Sequence, residues 1–307
     1  MVKVNLKLIG LLLLILFCSC LPEVSHSDKL FNEFTDSSNS ALSLQEVNSS
    51  NNVSSHNPLN IMSWNIRDLG RTKNAEEIHQ IAQILRRSDL VAIQEVVAKD
   101  PAGAQAVAKI ADELNRMGSK WDYTISNPTK SPSSHISERY AFLWKTHRVK
   151  MLNEPYLASK FENEMYREPY IANFKFKDKD QPISIVNFHS RKYYDKPEEE
   201  IIHFTSLVKT LSHEAVVIVG DFNLTEKHRV WNSLYEIGFQ NALSNTKTTL
   251  KQKCHFGQYR NHAIDNVYYN EYLIKINAQA IDLVKTCKNL KFVRELSDHL
   301  PVMFTFQ

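Results

Sequence analysis

Charge of one sign is what this chain most lacks. Its formal net charge is +3, and Lys3 and Lys7 at the start supply most of it, leaving 35 basic against 34 acidic residues in the remainder. A balance so close to neutral gives no global argument for nucleic acid, so the case for an anionic partner must come from a local site. Cysteine is scarce too, with four in 307 residues, and Cys18 and Cys20 fall in the first twenty. Too few remain for a cysteine-rich zinc site. No internal repeat occurs, and the longest apolar run, from Leu8 to Phe17, is short for a membrane span. What is present is an ordinary globular mixture, 43% apolar and 23% charged, able to bury a sizeable core.

The first stretch reads as an address. Lys3 and Lys7 precede the apolar run, as in a secretory signal. Phe17-Cys18-Ser19-Cys20 then resembles a bacterial lipoprotein box with Cys20 as the lipidated residue; cleavage after a small residue is the alternative. Residues 1–20 are therefore expected to direct export, to the cell envelope or the medium. Residues 21–57 are rich in Ser and Asn without apolar periodicity, which predicts a disordered tether. The folded domain is expected over residues 58–307.

Within it, strands and helices alternate. Val216-Val217-Ile218-Val219 predicts a strand buried on both faces, which Gly220 ends, leaving Asp221 and Asn223 to face a crevice. Further strands are predicted at 61–66, 90–95, 140–144, 170–176, 183–188 and 263–269. Helices are predicted at 75–87 and 102–117, with Gly118 as a stop, and near 197–211 and 228–237. This pattern predicts an α+β fold of two packed mixed sheets flanked by helices.

Polar residues recur at the predicted strand ends: Asn65, Glu95, Glu138, His189, Asp221, Asn223 and Asp265, with Asp298-His299 just before the last strand. Singly each also reads as a cap or turn residue. Together, Glu95, Asn65, Asp221, Asn223 and Asp298 form an oxygen-only ligand set suited to Mg²⁺ or Mn²⁺. His189 and His299 can serve as acid and base if Glu138 and Asp265 orient them. Arg67 and Arg167 are candidates to clamp phosphate oxygens. This chemistry fits hydrolysis of a phosphodiester.

The motifs Trp64-Asn65-Ile66-Arg67, Ile93-Gln94-Glu95-Val96, Glu138-Arg139-Tyr140, Arg167-Glu168-Pro169, Asn187-Phe188-His189-Ser190, Gly220-Asp221-Phe222-Asn223, Ile264-Asp265-Asn266-Val267 and Ser297-Asp298-His299 occur in one order over residues 59–307. In that order they resemble the endonuclease/exonuclease/phosphatase superfamily, closest to its deoxyribonuclease I-like branch. The resemblance implies a DNase I-like four-layer α/β/β/α sandwich. It also implies Glu95 and Asn65 on one metal, and Asp221, Asn223 and Asp298 on metal or phosphate. His299 with Asp265 would activate water, and His189 with Glu138 would contact the phosphate or leaving group. Ca²⁺ is expected only as a structural ion, nucleic acid as substrate, and a monomer as the working form. A phosphodiesterase or phosphatase acting on a lipid or small ester is the alternative within the same superfamily.

There are departures. Ile136 and Val97 stand where the mammalian nucleases carry a Tyr and an Arg for the minor groove, and no cysteine follows Asp221-Phe222-Asn223. Cys254 and Cys287 either pair in an oxidising compartment or sit as core residues. Ser190 to Lys196 interleaves basic with aromatic residues, and reads as a nucleic-acid grip or a solvated loop. Thr248 to Lys253 offers hydroxyls for phosphate, or an ordinary turn. Asn223-Leu224-Thr225 is a glycosylation sequon on a proposed ligand, which with Cys20 points to a bacterial source.

Overall fold

The strand Ala215–Asp221 is buried at every residue, and its alternating side chains explain why. Val217 and Val219 point into a core shared with a second sheet, while Val216 and Ile218 point into a core shared with helices. An apolar run without alternation is therefore two period-two faces, each covered by a different layer. The structure, a computed structural model, describes residues 57–99 and 101–307. The leader with Cys20 and the Ser/Asn-rich tether lie outside the described residues.

One sheet has six strands, in the order Lys275–Ala280, Val302–Phe306, Leu59–Leu69, Leu90–Val97, Glu138–Lys145 and Trp121–Ile125. The other runs Phe239–Asn241, Asp265–Asn270, Ala215–Asp221, Pro182–His189, Tyr170–Phe176 and Val149–Met151, with Tyr156–Leu157 also pairing on Tyr170–Phe176. Each sheet is mixed, with one parallel pair: Leu59–Leu69 beside Leu90–Val97, and Pro182–His189 beside Ala215–Asp221. Aromatic rings from both sheets, among them Phe142 and Phe174 at 5.5 Å edge to face, fill the layer between them. On the outer face of the second sheet Phe188, Phe204, Phe222, Trp231 and Tyr268 close a second core.

On the first sheet, helix Ala102–Arg116 packs against strands Leu90–Val97 and Trp121–Ile125. Its neighbour Ala75–Leu85 starts on a capping box, in which Asn74 accepts from the Glu77 amide at 2.9 Å and Glu77 accepts from the Asn74 amide at 2.7 Å. The chain thus folds as the expected four-layer α/β/β/α sandwich.

Several predicted elements change shape. Gly220 does not end its strand, which continues to Asp221. Its φ is +148°, and a Cβ placed there would stand 1.7 Å from the Phe188 carbonyl oxygen, so glycine here permits close approach of the neighbouring parallel strand. The helix expected over 197–211 is two short pieces, Glu198–Ile201 and Phe204–Val208, and that over 228–237 is a 3₁₀ turn followed by Asn232–Tyr235. Cys254 and Cys287 form a disulfide across 33 residues of sequence. It ties the hairpin strand Leu250–His255 to the segment before helix Leu290–Leu296.

Candidate active site

Both parallel pairs end at the same edge of the sandwich, and their carboxyl ends bring the polar residues together. Asn65 and Glu95 arrive on the first sheet, His189 and Asp221 on the second. Asn65 links them: its Nδ2 donates to Glu95 Oε1 at 2.9 Å and to Asp221 Oδ2 at 3.1 Å. Local backbone irregularity aims these groups. The pairing of Leu90–Val97 with Glu138–Lys145 shifts register between Ile93 and Val96, and Glu95 inside that shift has φ +60°. Asn223, one of the few other non-glycine residues with positive φ, sits at +50°. Such conformations cost on the order of 1–3 kcal/mol and gather at functional sites.

Two imidazoles face each other across Asp221. His189 Nδ1 lies 2.9 Å from Glu138 Oε2, and His299 Nδ1 lies 3.0 Å from both Asp265 oxygens. A carboxylate on Nδ1 fixes the tautomer and leaves Nε2 for chemistry. The two Nε2 atoms converge on one oxygen, Asp221 Oδ2, at 3.6 and 3.7 Å. Burial works to lower the pKa of each histidine, but the carboxylates override it: Glu138 raises His189, and Asp265 with Asp221 raises His299 to about 10. Burial works to raise Glu138, yet the charges of His189 and Arg167 hold it below the usual range. Asp221 is pushed up, first by burial and then by the nearby Asp265 charge.

Residues to which the sequence assigned no supporting role hold these dyads in place, and Thr248, read as a phosphate donor, is one of them. The Thr248 hydroxyl donates to Asp265 Oδ2 at 2.6 Å, so this threonine supports the carboxylate behind His299. The Tyr140 hydroxyl accepts from the His189 amide at 3.1 Å. Below His189, Asn187 bridges the sheets, donating to the carbonyls of Ile93 and Ala141 and accepting from Gln94 at 2.6 Å. An amide at a strand position that reads apolar, such as Asn187 between Val186 and Phe188, was the available signal.

Arg167 is buried, its Nε 3.0 Å from Glu138 Oε2 and its Nη1 donating to the Ser190 carbonyl at 3.1 Å; it braces the His189 dyad from the cleft wall. Asn223 lines the cleft, its backbone N–H donating to Asp221 Oδ1 at 2.9 Å and its side-chain Nδ2 to the Ser190 carbonyl at 3.3 Å. Arg67 and Asp298 are placed apart from this group. They pair with each other at 3.6 Å, Arg294 joins Asp298 at 3.7 Å, and Arg67 lines a separate cavity of about 460 Å³ beside the disulfide. Both side chains are drawn to that side by opposite charge, a pairing that strand-end position does not reveal.

The dyads open into a cleft of about 1250 Å³. The resemblance carried by the ordered motifs implies a divalent cation, and the donors fit one. Asn65 spends both amide hydrogens on carboxylates, and its buried Oδ1 has no hydrogen-bond partner. Glu95 stands beside it, and the set is all oxygen, as a hard cation requires.

Residues 62–299 match the family described as "Endonuclease/Exonuclease/phosphatase family". Among curated proteins, the chain is similar to Deoxyribonuclease-1 of Bos taurus, at 32% identity over 180 residues, covering 54% of this chain and 60% of that protein. It is also similar to a deoxyribonuclease of Thioalkalivibrio sp. (strain K90mix), at 26% over 186 residues, covering 57% of this chain and 49% of that protein. The aligned part thus spans about half the length of these relatives. Among solved structures, the endonuclease/exonuclease/phosphatase from Bacteroides vulgatus shares the fold, with TM-score 0.59 and 14% identity, covering 82% of this chain and 99% of that one.

Proposed function

Because the chain belongs to the endonuclease/exonuclease/phosphatase family, we propose that it is a divalent-metal-dependent phosphodiester hydrolase whose substrate is a nucleic acid, DNA before RNA. The observation that carries this is the convergence of two carboxylate-oriented imidazoles on Asp221 at the floor of an open cleft. Hydrolysis needs a base to take a proton from water and an acid to protonate the leaving oxygen, and two histidines set apart by one anion supply both. Of His299, held by Asp265 and Thr248, and His189, held by Glu138 and Arg167, one takes the proton of the attacking water at Nε2 and the other presents Nε2–H to the phosphate or the departing oxygen. Glu95 and Asn65, with Asp221 and Asn223 beside them, would hold Mg²⁺ or Mn²⁺, which when bound offsets the negative charge developing on the phosphate.

Export belongs to the same proposal and is supported by Lys3, Lys7, the apolar run after them and Cys20.

The test is nicking of supercoiled plasmid by the purified chain with Mg²⁺ or Mn²⁺, against chelator and the variants His189→Ala and His299→Ala. Relaxation that needs the metal and both histidines is expected. Plasmid left supercoiled by a preparation that frees phosphate from small or lipid esters would replace the nuclease with a phosphoesterase.

A further inference from the structure

Tyr193 and Tyr194 stand on the rim of the catalytic cleft, four and five residues past His189, and each is 74% exposed. Single exposed rings are common on protein surfaces. Two adjacent ones beside a functional cleft, on a rigid foot, are a different matter.

The foot is rigid because its charges are buried and paired. Glu200, fully buried, accepts from the Ser190 hydroxyl at 2.6 Å and from the Arg191 amide at 2.7 Å. The Arg191 guanidinium pairs with the same carboxylate at 3.2 Å and lies 4.1 Å over the Tyr166 ring. A 3₁₀ turn, Tyr193–Asp195, then carries both rings outward, closed by the Asp195 amide donating to the Lys192 carbonyl at 2.8 Å. The anchored stem and bare tips form a platform ordered before any ligand arrives, which reduces the entropy lost on binding.

The surroundings match a strand with its bases exposed. Lys192 and Lys227 are exposed on the same rim, with the Lys192 ammonium 6.0 Å from the Tyr194 ring. Apolar side chains of Val97, Ile136, Leu224 and Ile264 line the cleft between rim and dyads. A duplex keeps its bases stacked inside and offers mainly phosphates, which a near-neutral chain with a few local lysines grips poorly. An unpaired strand offers base faces to rings and to apolar walls.

Building on the proposed hydrolase activity, we infer that this site prefers a single strand, including the unpaired stretches that supercoiling opens in a plasmid, with bases stacked on Tyr193 and Tyr194 and phosphates tracked by Lys192 and Lys227. Base stacking on an aromatic contributes about 1–3 kcal/mol per base, which converts to roughly 5- to 150-fold in affinity.

The test measures anisotropy of a labelled oligodeoxythymidine and of a labelled hairpin duplex with the full chain in chelator, so that nothing is cut. The single strand is expected to bind more tightly. Tyr193→Ala and Tyr194→Ala should each weaken it at least 5-fold while changing duplex affinity less than 2-fold, and Tyr193→Phe should restore it. With metal added, KM for the single strand should rise in the alanine variants and kcat should hold. Equal weakening of both ligands, tighter duplex binding, or no change in the alanine variants overturns the inference. If strand binding depends on the tyrosines but neither plasmid nor oligonucleotide is cut, the stacking surface stands and the hydrolase reading falls. Cutting that persists with tyrosine-independent binding gives the reverse.

Discussion

Replacing Gly220 by alanine should damage stability and activity together, because one glycine spaces the two strands that carry His189 and Asp221. The added Cβ would meet the Phe188 oxygen at 1.7 Å, where real contacts are essentially never under 3.0 Å, and the atom it meets is backbone. Strands Pro182–His189 and Ala215–Asp221 must therefore part by more than about 1 Å. Loosening two ladder hydrogen bonds costs about 2 kcal/mol, and holding alanine at the φ of +148° costs on the order of 1–3 kcal/mol more. A loss of about 3–5 kcal/mol is expected in urea unfolding followed by tryptophan fluorescence. Phe188 pairs with Gly220, and His189 with Asp221, in the same ladder. The separation thus changes the 3.6 Å spacing between the His189 imidazole and the Asp221 carboxylate, and a misplacement of about 1 Å is expected to lower kcat/KM roughly 100-fold. A variant within 1 kcal/mol of the parent and fully active would refute the spacer role.

Glu138→Gln keeps the size of the side chain but removes the charge that raises His189, so the histidine pKa should fall and kcat drop about 100-fold; the imidazole proton resonance titrated by NMR reports the first, steady-state assays the second. In chelator, His299 has a folded pKa of about 10 against an ordinary 6.5, so its contribution to stability is complete below about pH 6.5 and is lost as pH rises towards 10. Melting temperatures across that window should fall, and fall less in His299→Gln. Thr248→Val removes the 2.6 Å hydroxyl donor behind Asp265 and should cost about 10-fold in kcat and about 1 kcal/mol in stability; an unchanged rate would remove Thr248 from the relay. Cys254→Ser with Cys287→Ser opens a 33-residue loop and should lower unfolding free energy by about 3–4 kcal/mol, read by denaturant titration under non-reducing conditions.

The sequence alone determined the layers and the dyad partners. Val216 to Val219 reads as a doubly buried strand because no position tolerates water, and Tyr170–Phe176, buried at every position but Lys175, matches its predicted bounds. His189 and His299 each required a carboxylate for orientation, and the ordered motifs named Glu138 and Asp265 correctly as those partners. Edge elements were not legible. Lys275–Ala280 is mostly exposed and Trp121–Ile125 half so, and a strand with little buried surface carries little hydrophobic period.

Only the tertiary structure decided which charges settle against one another. Arg67 and Asp298 turn to each other and to Arg294, and Arg167 pairs with Glu138, although the two arginines read as phosphate clamps and Asp298 as a metal ligand. Gly220 likewise read as a stop until the Phe188 carbonyl was seen against it. Periodicity records how much water each position meets, and that is local. Which opposite charge lies within 4 Å, and which carbonyl crowds a glycine, depends on how two sheets stack, and no stretch of the chain carries that by itself.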